Sequence, residues 1–515
     1  MLNLRLLVFI SGLSVMAVEM TAMRLLAPFF GTSLLVTTVL IGSMMAFLSL
    51  GYWLGGVLGD RSPHLQTLCR ATSAAALAIL AIPFLGQPIL RACAYVIRPL
   101  LEGNALEEPQ VAFAMLIGGL LGTLLLLAIP VTLLGMVSPW GIRLAVDNVD
   151  TSGKTAGRIS ALSTFGSILG SFLPALVLIP LLGVRNTFVM VAVVLLLVSA
   201  PRALNSRAKG IAAAGFMLPL FGVPQTTVRP MDGLITESES LYHFIQVVNE
   251  PYGDCEEAYH LYLNEGVGVH SVKCLDPEQE IRGCWTYMAA APLWREEPEE
   301  AKEALLIGLA GGTVARQMLA AFPDLHIDGV EIDGAVVEVG KKYLDNDDPR
   351  ITPYVMDGRV FLDHREKKYD IVVMDAYRQP YIPFHLTTVE FWELVRSRMT
   401  EDGVIAINSA SVRGSSRRLA QMIYRTLREV FPTVHLIDAT NSNDIIFATM
   451  QPRSLEWASD KLDLLPTGSA LDSIRPRFRK RSLGEVEGWE TARLLTDDQA
   501  PVEMAWELMA LDYLK

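Results

Sequence analysis

Long apolar segments recur through the first 225 residues, and this feature constrains the fold of the 515-residue chain more than any other. A helix needs about 20 apolar residues to cross the hydrocarbon core of a bilayer. Most of the segments reach that length; they are 6–28, 34–58, 71–90, 111–138, 159–182 and 187–200. The pattern predicts an α-helical membrane domain with six spans over residues 1–225.

A seventh apolar segment, 211–224, leaves the topology open. It has only 14 residues and includes proline, which suits an interfacial or re-entrant piece better than a span. Basic residues gather at 61–70, 143–158 and 202–209, in loops that share a side with the N-terminus, and this bias predicts that the shared side is cytoplasmic. Six spans would then put the rest of the chain in the cytoplasm, whereas seven would put it outside.

From about Met231 the composition becomes that of a soluble α/β protein. Residues 1–230 hold 14 Lys and Arg against 7 Asp and Glu, which leaves 29 against 48 for the remainder. An acidic domain attracts cationic ligands and repels nucleic acid, although many acidic surfaces serve solubility alone. We therefore expect no nucleic-acid partner.

The five cysteines show no CxxC motif and no clustering with histidine. This spacing indicates neither a zinc site nor a disulfide framework. We expect free thiols and no metal.

Short alternating strands over 232–275 predict a small antiparallel β domain, assigned to residues 226–290. Strand-like and helical runs then alternate, which predicts a doubly wound, mostly parallel sheet in a Rossmann-like α/β domain over residues 291–515. The expected fold is thus a multi-span helical membrane domain fused to a small antiparallel β domain and an α/β domain.

The ends of four predicted strands carry the residues expected to bind a nucleotide-like ligand, because ligands of such sheets bind beyond the carboxyl ends of the strands. The stretch "LLIGLAGGTVARQM" (305–318) ends its strand in a glycine loop that lets a ligand approach the backbone. Glu331 ends the second strand, where a carboxylate can accept both ribose hydroxyls. Asp357 ends the third and suits an amino group such as that of adenine, and Asp375 ends the fourth.

Several of these motifs resemble those of the spermidine synthase (polyamine aminopropyltransferase) family. The matching stretches are "ESLYHFIQV" (239–247), "LYLNEGVGVHS" (261–271), "DPRITPYVMDGRVFL" (348–362) and "YDIVVMDAY" (369–377). The membrane N-terminus, "DAYRQPYIPFHLTTVEFWEL" and the late "LTDDQAPVE" are similar to the bacterial membrane-fused branch. The resemblance implies a class I adenosyl-sulfonium transferase fold. It also implies an aminopropyl transfer from decarboxylated S-adenosylmethionine to a polyamine such as putrescine.

The resemblance assigns roles to individual residues. Asp375 would accept the proton of the attacking amine, with Tyr242 assisting. The residues implied for binding the adenosyl co-substrate are Gly308, Gly311, Gly312, Glu331, Asp333, Asp357, Gly358 and Asp375. The residues implied for binding the polyamine are Tyr242, His243, His270, Tyr287 and Tyr377.

The chain departs from the family pattern at four positions. Gly311 replaces the aspartate that recognises the aminopropyl amine, and Arg378 replaces a second polyamine-binding aspartate. His243 and His270 replace glutamines, and either histidine is as well explained by a structural hydrogen bond. Tyr242 and Tyr287 are equally compatible with core packing.

Two other functions stay open. A methyltransferase of the same fold would use intact S-adenosylmethionine, because Gly311 places no negative charge beside its carboxylate. A transporter or sensor would bind an adenosyl compound or polyamine in the soluble domain and gate the membrane domain.

Adenosyl-sulfonium compounds are cytoplasmic metabolites, so we expect six spans. This predicts a multi-pass protein of the bacterial inner membrane, in contact with lipid, with its catalytic domain in the cytoplasm. A homodimer is compatible with the assignment, because soluble relatives are usually dimers or tetramers.

Overall fold

The structure is a computed structural model that describes residues 2–30, 34–97, 108–146, 148–203, 227–264, 266, 268–277, 279, 281–377, 382–411, 417–466, 468–503 and 505. The chain forms two compact units. The first comprises Met1–Glu102 and Phe113–Arg229, and the second comprises Gly103–Ala112 and Pro230–Lys515. The predicted subdivision of the second unit at residue 290 stays a prediction.

The first unit is helical, as predicted. Its helices are α1 (Leu2–Phe30), α2 (Leu34–Arg61), α3 (Leu65–Ile97), α4 (Glu108–Gly135), α5 (Val137–Ala145), α6 (Ser152–Leu173) and α7 (Ile179–Ala203). A π-helical turn, Pro174–Leu178, links α6 to α7, and α7 is broken at Gly183, where φ is +75°. Within the described residues, six helical stretches are long and apolar enough to cross a membrane. The apolar segment 211–224 lies outside the described residues.

Glycine brings α1 and α6 into backbone contact. A Cβ atom on Gly166 would lie 2.1 Å from the carbonyl oxygen of Phe9, and one on Gly170 would lie 2.1 Å from that of Leu13. Successive contacts advance in the same direction along both helices, so α1 and α6 run parallel. Small residues at such positions allow the close packing that stabilises helix pairs in membranes.

The second unit begins with a four-stranded antiparallel sheet in the order β1-β2-β3-β4. Its strands are β1 (Leu234–Glu239), β2 (Phe244–Tyr252), β3 (Cys255–Leu263) and β4 (Val269–Cys274). The prediction that the cysteines are free thiols is wrong for one pair, because Cys255 and Cys274 form a disulfide with Cα atoms 5.9 Å apart. The antiparallel pairing of β3 and β4 brings together two cysteines that stand 19 positions apart in the sequence, so spacing alone gave no sign of the bond.

An eight-stranded sheet follows, in the order β12-β10-β11-β9-β8-β5-β6-β7. Its strands are β5 (Glu303–Ile307), β6 (His326–Glu331), β7 (Ile351–Val355), β8 (Tyr369–Met374), β9 (Met399–Ala410), β10 (Thr433–Asp438), β11 (Asn443–Thr449) and β12 (Ser482–Gly484). Five adjacent strands pair in parallel, in the order β7, β6, β5, β8 and β9. Beyond β9, the strands β11, β10 and β12 continue the sheet with antiparallel pairing. This arrangement confirms the predicted, mostly parallel Rossmann-like sheet.

Helices pack on both faces of the eight-stranded sheet, which buries all six residues of β8. They are α8 (Cys284–Ala289), α9 (Thr313–Ala321), α10 (Gly334–Tyr343), α11 (Gly358–Asp363), α12 (Val389–Ser397), α13 (Arg418–Val430), α14 (Leu455–Leu464) and α15 (Arg475–Phe478). The carboxyl ends of β7, β6, β5, β8 and β9 therefore lie side by side along one edge.

Candidate active site

The glycine loop after β5 adopts backbone conformations that favour glycine. Gly308 and Gly312 have φ angles of +91° and +79°, and Ala310 has +47°. A Cβ atom on Gly308 would lie 2.5 Å from the carbonyl carbon of Asp375. The loop thus passes directly against the backbone after β8, and only glycine fits at Gly308.

Gly311, where the family pattern has aspartate, is enclosed by neighbouring side chains. Its amide donates to the Ser271 hydroxyl at 2.9 Å. A Cβ atom there would lie 2.6 Å from Cδ1 of Leu344 and 2.8 Å from Cβ of Ser271. Leu344 and Ser271 therefore occupy the space that an aspartate side chain would need at position 311.

Glu331 lies buried at the end of β6 and is fixed by backbone amides. Its Oε2 accepts from the Ala310 amide at 3.0 Å, and its Oε1 accepts from the Asp333 amide at 3.2 Å. Burial raises the pKa of this carboxyl group above its ordinary value. The two hydrogen bonds orient the carboxylate beside the glycine loop, where the ribose was predicted to bind.

Asp333 connects the small sheet to α10. One oxygen of its carboxylate caps α10 by accepting from the Ala335 amide at 3.0 Å. The other accepts from the Ser240 hydroxyl and contacts Nδ1 of His243 at 2.9 Å. Burial opposes ionisation, but the hydrogen bonds from His243 and Ser240 hold the pKa of Asp333 below its ordinary value. Asp333 and His243 therefore form a structural link in addition to any contact with a ligand.

Asp357 caps α11 at the end of β7. Its Oδ1 accepts from the amides of Arg359 and Val360, while its Oδ2 contacts Nε2 of His385 at 2.8 Å. The hydrogen bond to His385 lowers the pKa of Asp357. The next residue, Gly358, allows α11 to approach β5, because a Cβ atom there would lie 2.4 Å from Cγ2 of Ile307.

Asp497 approaches the same region from the end of the chain. Its carboxylate forms a two-pronged ion pair with Arg359, each contact being 2.6 Å, and accepts from the Thr388 hydroxyl at 2.7 Å. Arg359 also donates to the His385 carbonyl. These contacts hold the segment before α12 against α11.

Apolar side chains lie exposed between Glu331 and Asp357. Ile332 is 38% exposed, Val355 55% and Val360 49%. Val355 pairs with Glu331 across the two strands, so these side chains occupy the edge where β6 and β7 end. Exposed apolar surface flanked by two carboxylates suits a flat, partly polar ring such as adenine.

Asp375 is held by Asn408 on β9, which is held in turn by Asn443 on β11. Its Oδ1 accepts from Nδ2 of Asn408 at 2.9 Å, and Oδ1 of Asn408 accepts from Nδ2 of Asn443 at 3.0 Å. Tyr377 donates through its hydroxyl to the Asn408 carbonyl at 2.9 Å. Burial raises the pKa of Asp375 to about 7, and the Asn408 hydrogen bond opposes this shift. A carboxyl group with this pKa can exchange a proton near neutral pH.

The other predicted substrate-binding residues have different environments. Tyr242 is 47% exposed and, within the described residues, has no hydrogen bond to Asp375. His270 lies partly buried on β4 beside Ser271. Tyr287 is buried on α8, with its ring stacked on Phe478 at a centroid distance of 6.2 Å, as the core-packing alternative predicts. Arg378 lies outside the described residues.

Three residues at the site were missed from the sequence: Asn408, Asn443 and His385. Asn408 lies two residues before the end of β9 and could have been found by extending the rule on strand ends to a fifth strand. Asn443 lies on the antiparallel strand β11, which the rule for parallel strands does not cover. No sequence signal identified His385, whose approach to Asp357 depends on the path of a loop.

The matched family domain lies in the second unit. Residues 286–449 match the spermine/spermidine synthase domain. A protein of Bifidobacterium longum (strain NCC 2705) named "Probable polyamine aminopropyl transferase" is 30% identical over 310 residues, which cover 55% of this chain and 66% of the relative, just under two thirds of its length. The polyamine aminopropyltransferase of Vibrio vulnificus (strain CMCP6) is 28% identical over 306 residues, which cover 56% of this chain and 94% of the relative.

Among solved structures, a probable spermidine synthase from Corynebacterium glutamicum ATCC 13032 aligns with a TM-score of 0.38 and 19% identity. The alignment covers 45% of this chain and 88% of that chain. A likeness of this size carries no further conclusion. The matched domain and the two sequence relatives support a spermidine synthase-like transferase.

Proposed function

We propose that the protein is an integral membrane aminopropyltransferase that moves an aminopropyl group from decarboxylated S-adenosylmethionine to an amine of a polyamine such as putrescine. The names of the two sequence relatives support the reaction class. The six apolar helices support membrane integration. The acidic balance of residues 231–515 suits cationic substrates.

The observation that carries the proposal is the environment of Asp375. This carboxyl group lies at the carboxyl edge of the parallel strands, against the glycine loop, with a pKa of about 7. An alkylamine has an unperturbed pKa of ~10 and is mostly protonated at neutral pH, so it must lose a proton before its nitrogen can attack. Asp375 in its ionised form is suited to accept that proton.

In the proposed reaction the neutral amine nitrogen attacks the methylene carbon next to the sulfonium. A carbon–nitrogen bond forms, the carbon–sulfur bond breaks with its electron pair going to sulfur, and methylthioadenosine leaves. The proton of the amine passes to Asp375. Since a sulfonium is already a good leaving group, alignment of the two substrates supplies much of the acceleration.

The same edge supplies groups that fit the adenosyl part of the donor. The Glu331 carboxylate is oriented to accept from ribose hydroxyls, and Asp357 offers an acceptor for an amino group. The exposed side chains of Ile332 and Val360 provide apolar surface for a purine ring. Tyr242 and His243 lie between β1 and β2 of the small sheet and are proposed to contact the polyamine.

The proton acceptor is tested by an Asp375→Asn substitution in the full-length protein purified in detergent. We expect methylthioadenosine release from putrescine and decarboxylated donor to fall at least ~100-fold, the usual contribution of a proton acceptor. Binding of methylthioadenosine, measured by calorimetry, should persist. Asp460→Asn, an exposed aspartate on α14, is the matched control. Full turnover by Asp375→Asn would show that another group accepts the proton.

A methyltransferase using intact S-adenosylmethionine is a second candidate, favoured by the environment of Gly311. No carboxylate stands at this position to pair with an aminopropyl ammonium or to repel a donor carboxylate, and Ser271 and Leu344 fill the space. Competitive binding of the two donors separates the candidates. At least tenfold tighter binding of the decarboxylated donor supports aminopropyl transfer, whereas tighter binding of S-adenosylmethionine supports methyl transfer.

A further inference from the structure

The helices of the first unit have two distinguishable ends. At one end the α2–α3 connection lies near the end of α5, since the Trp140 indole donates to the Ser62 carbonyl at 3.2 Å and Arg143 pairs with Asp60 at 2.9 Å. We call this the N-terminal end, because α1 begins there. The parallel contacts of α1 with α6, which starts at Ser152, agree with this assignment.

Ala203, the last residue of α7, lies at the N-terminal end. Its carbonyl accepts from Nε of Arg70 near the start of α3 at 3.4 Å. One turn further into the bundle, the Ser73 hydroxyl donates to that of Ser199 at 2.9 Å. The chain therefore leaves α7 on the same side as the N-terminus.

Residues 227–229 lie at the opposite end. Arg91 donates to the carbonyls of Thr227 and Val228 at 3.1 and 3.2 Å, and Arg229 donates to the Pro28 carbonyl at 3.2 Å. Pro28 lies two residues before the end of α1. Arg91 stands 26 residues beyond the start of α3, which corresponds to ~39 Å of helix.

The hydrogen bonds of Arg91 and Arg229 therefore fix residues 227–229 at the far end of the bundle. All these contacts lie within the first unit.

We infer that residues 227–229, and with them the start of the second unit, lie on the side of the membrane opposite to the N-terminus. Ala203 and Thr227 are 24 positions apart in the sequence, more than the about 20 residues that one helical crossing needs. The number of crossings before the second unit is then odd, which departs from the six expected above.

The basic residues identify the two sides. Within the described residues, seven Lys and Arg lie toward the N-terminal end: Arg5, Arg61, Arg70, Arg143, Lys154, Arg158 and Arg202. Four lie toward the other end: Arg24, Arg91, Arg185 and Arg229. Because the cytoplasmic side of membrane proteins is enriched in Lys and Arg, the N-terminal end is cytoplasmic and the second unit is extracytoplasmic.

The disulfide between Cys255 and Cys274 agrees independently with this topology. Disulfides persist in oxidising compartments such as the bacterial periplasm and are rare in the cytosol. Both cysteines belong to the second unit. The geometry of the helical bundle, the distribution of charge and the thiol chemistry thus favour the same side.

The test is labelling of single engineered cysteines in the full-length chain with a membrane-impermeant maleimide on intact spheroplasts. Leu464→Cys reports on the second unit, where Leu464 is 82% exposed. His64→Cys, an exposed residue between α2 and α3, is the control for the N-terminal end. The unmodified chain corrects for background from Cys69, Cys93 and Cys284, which are buried.

We expect labelling of Leu464→Cys in intact spheroplasts and of His64→Cys only after permeabilisation. Labelling of both variants only after permeabilisation would place the two units on one side and overturn the inference, as would labelling of His64→Cys alone. The result does not depend on the proposed reaction, which is assayed on detergent-purified protein with free access to both sides.

Discussion

At the scale of single residues, the site depends on how Asp375 is held. The chain from Asn443 through Asn408 to Asp375 fixes one carboxylate oxygen and stabilises its ionised form. Asp375 itself was predicted from the end of its strand, but its asparagine partners were not. The effect of Asn408 on the pKa of Asp375 is therefore the feature of the site to measure directly.

Asn408→Ala tests this role through pH dependence. The Asn408 hydrogen bond lowers the pKa of Asp375 against the effect of burial, so its removal should raise that pKa above about 7. The rising limb of kcat/KM against pH should move to higher pH. A hydrogen bond to a charged group contributes ~1.5–3 kcal/mol, so activity at pH 7 should fall roughly tenfold to 100-fold. Gln421→Ala, which removes an amide on α13, should leave the limb unchanged.

An unshifted limb with lower activity would mean that Asn408 serves structure alone.

The stability of the folded protein should change with pH in the opposite direction to its activity. Because folding raises the pKa of Asp375, the native state keeps a proton that the unfolded state loses above about 4. This stabilisation is present at low pH and is lost as the pH rises through about 7.

Gly308→Ala tests the contact between the glycine loop and the chain after β8. A positive φ costs an ordinary residue ~1–2 kcal/mol, and here the new Cβ atom would also lie 2.5 Å from Asp375. Gly253→Ala is a matched control, since φ is +59° there and nothing lies within 4 Å. We expect a larger loss of melting temperature and of activity for Gly308→Ala. Equal effects of the two substitutions would contradict the close contact.

At the scale of helices and strands, glycine positions set the packing of α1 against α6. Gly166→Leu should force the helices apart, because the Phe9 carbonyl lies 2.1 Å from the position of the new Cβ atom. Gly157→Leu, on the same helix but with nothing within 4 Å, should be tolerated. The measurement is the melting temperature of the protein in detergent. A similar melting temperature for both variants would show that α1 and α6 do not pack as described.

The disulfide is the corresponding constraint in the small sheet. It joins the start of β3 to the end of β4, and β4 is the strand that supplies Ser271 to the glycine loop. Closing a loop of this length stabilises a protein by ~3 kcal/mol in the chain-entropy model.

The double variant Cys255→Ser/Cys274→Ser should therefore unfold at lower temperature than the parent protein, and reducing agent should lower the melting temperature of the parent alone. Reductant that destabilises both proteins equally would exclude the disulfide as the cause. The double variant leaves no unpaired thiol in the sheet, which separates loss of the bond from exchange reactions.

At the scale of the whole molecule, periodic and compositional signals predicted the architecture. The six apolar helices and the strands from β2 to β11 follow the sequence patterns. Long apolar runs favour membrane-spanning helices, and runs that alternate apolar and polar residues favour half-buried strands. The strand ends carrying Glu331, Asp357 and Asp375 follow from the parallel sheet. The His243–Asp333 link, the Cys255–Cys274 bond and the path of residues 227–229 depend on tertiary contacts that no local pattern encodes.

The two proposals together have a consequence for the supply of the adenosyl donor. If the second unit is extracytoplasmic, the adenosyl donor must reach that side of the membrane, whereas part of the case for six spans was that such donors are cytoplasmic. The chemistry of the site and its location are therefore separate questions. Assays on purified protein address the first and labelling addresses the second.

The central claim is that the edge formed by Gly308, Glu331, Asp357 and Asp375 transfers an aminopropyl group. Its most direct test is identification by mass spectrometry of the nucleoside that purified full-length protein releases when putrescine and both adenosyl donors are present together. We predict methylthioadenosine together with an acceptor heavier by one aminopropyl group. Release of S-adenosylhomocysteine, or of neither nucleoside, would contradict the account.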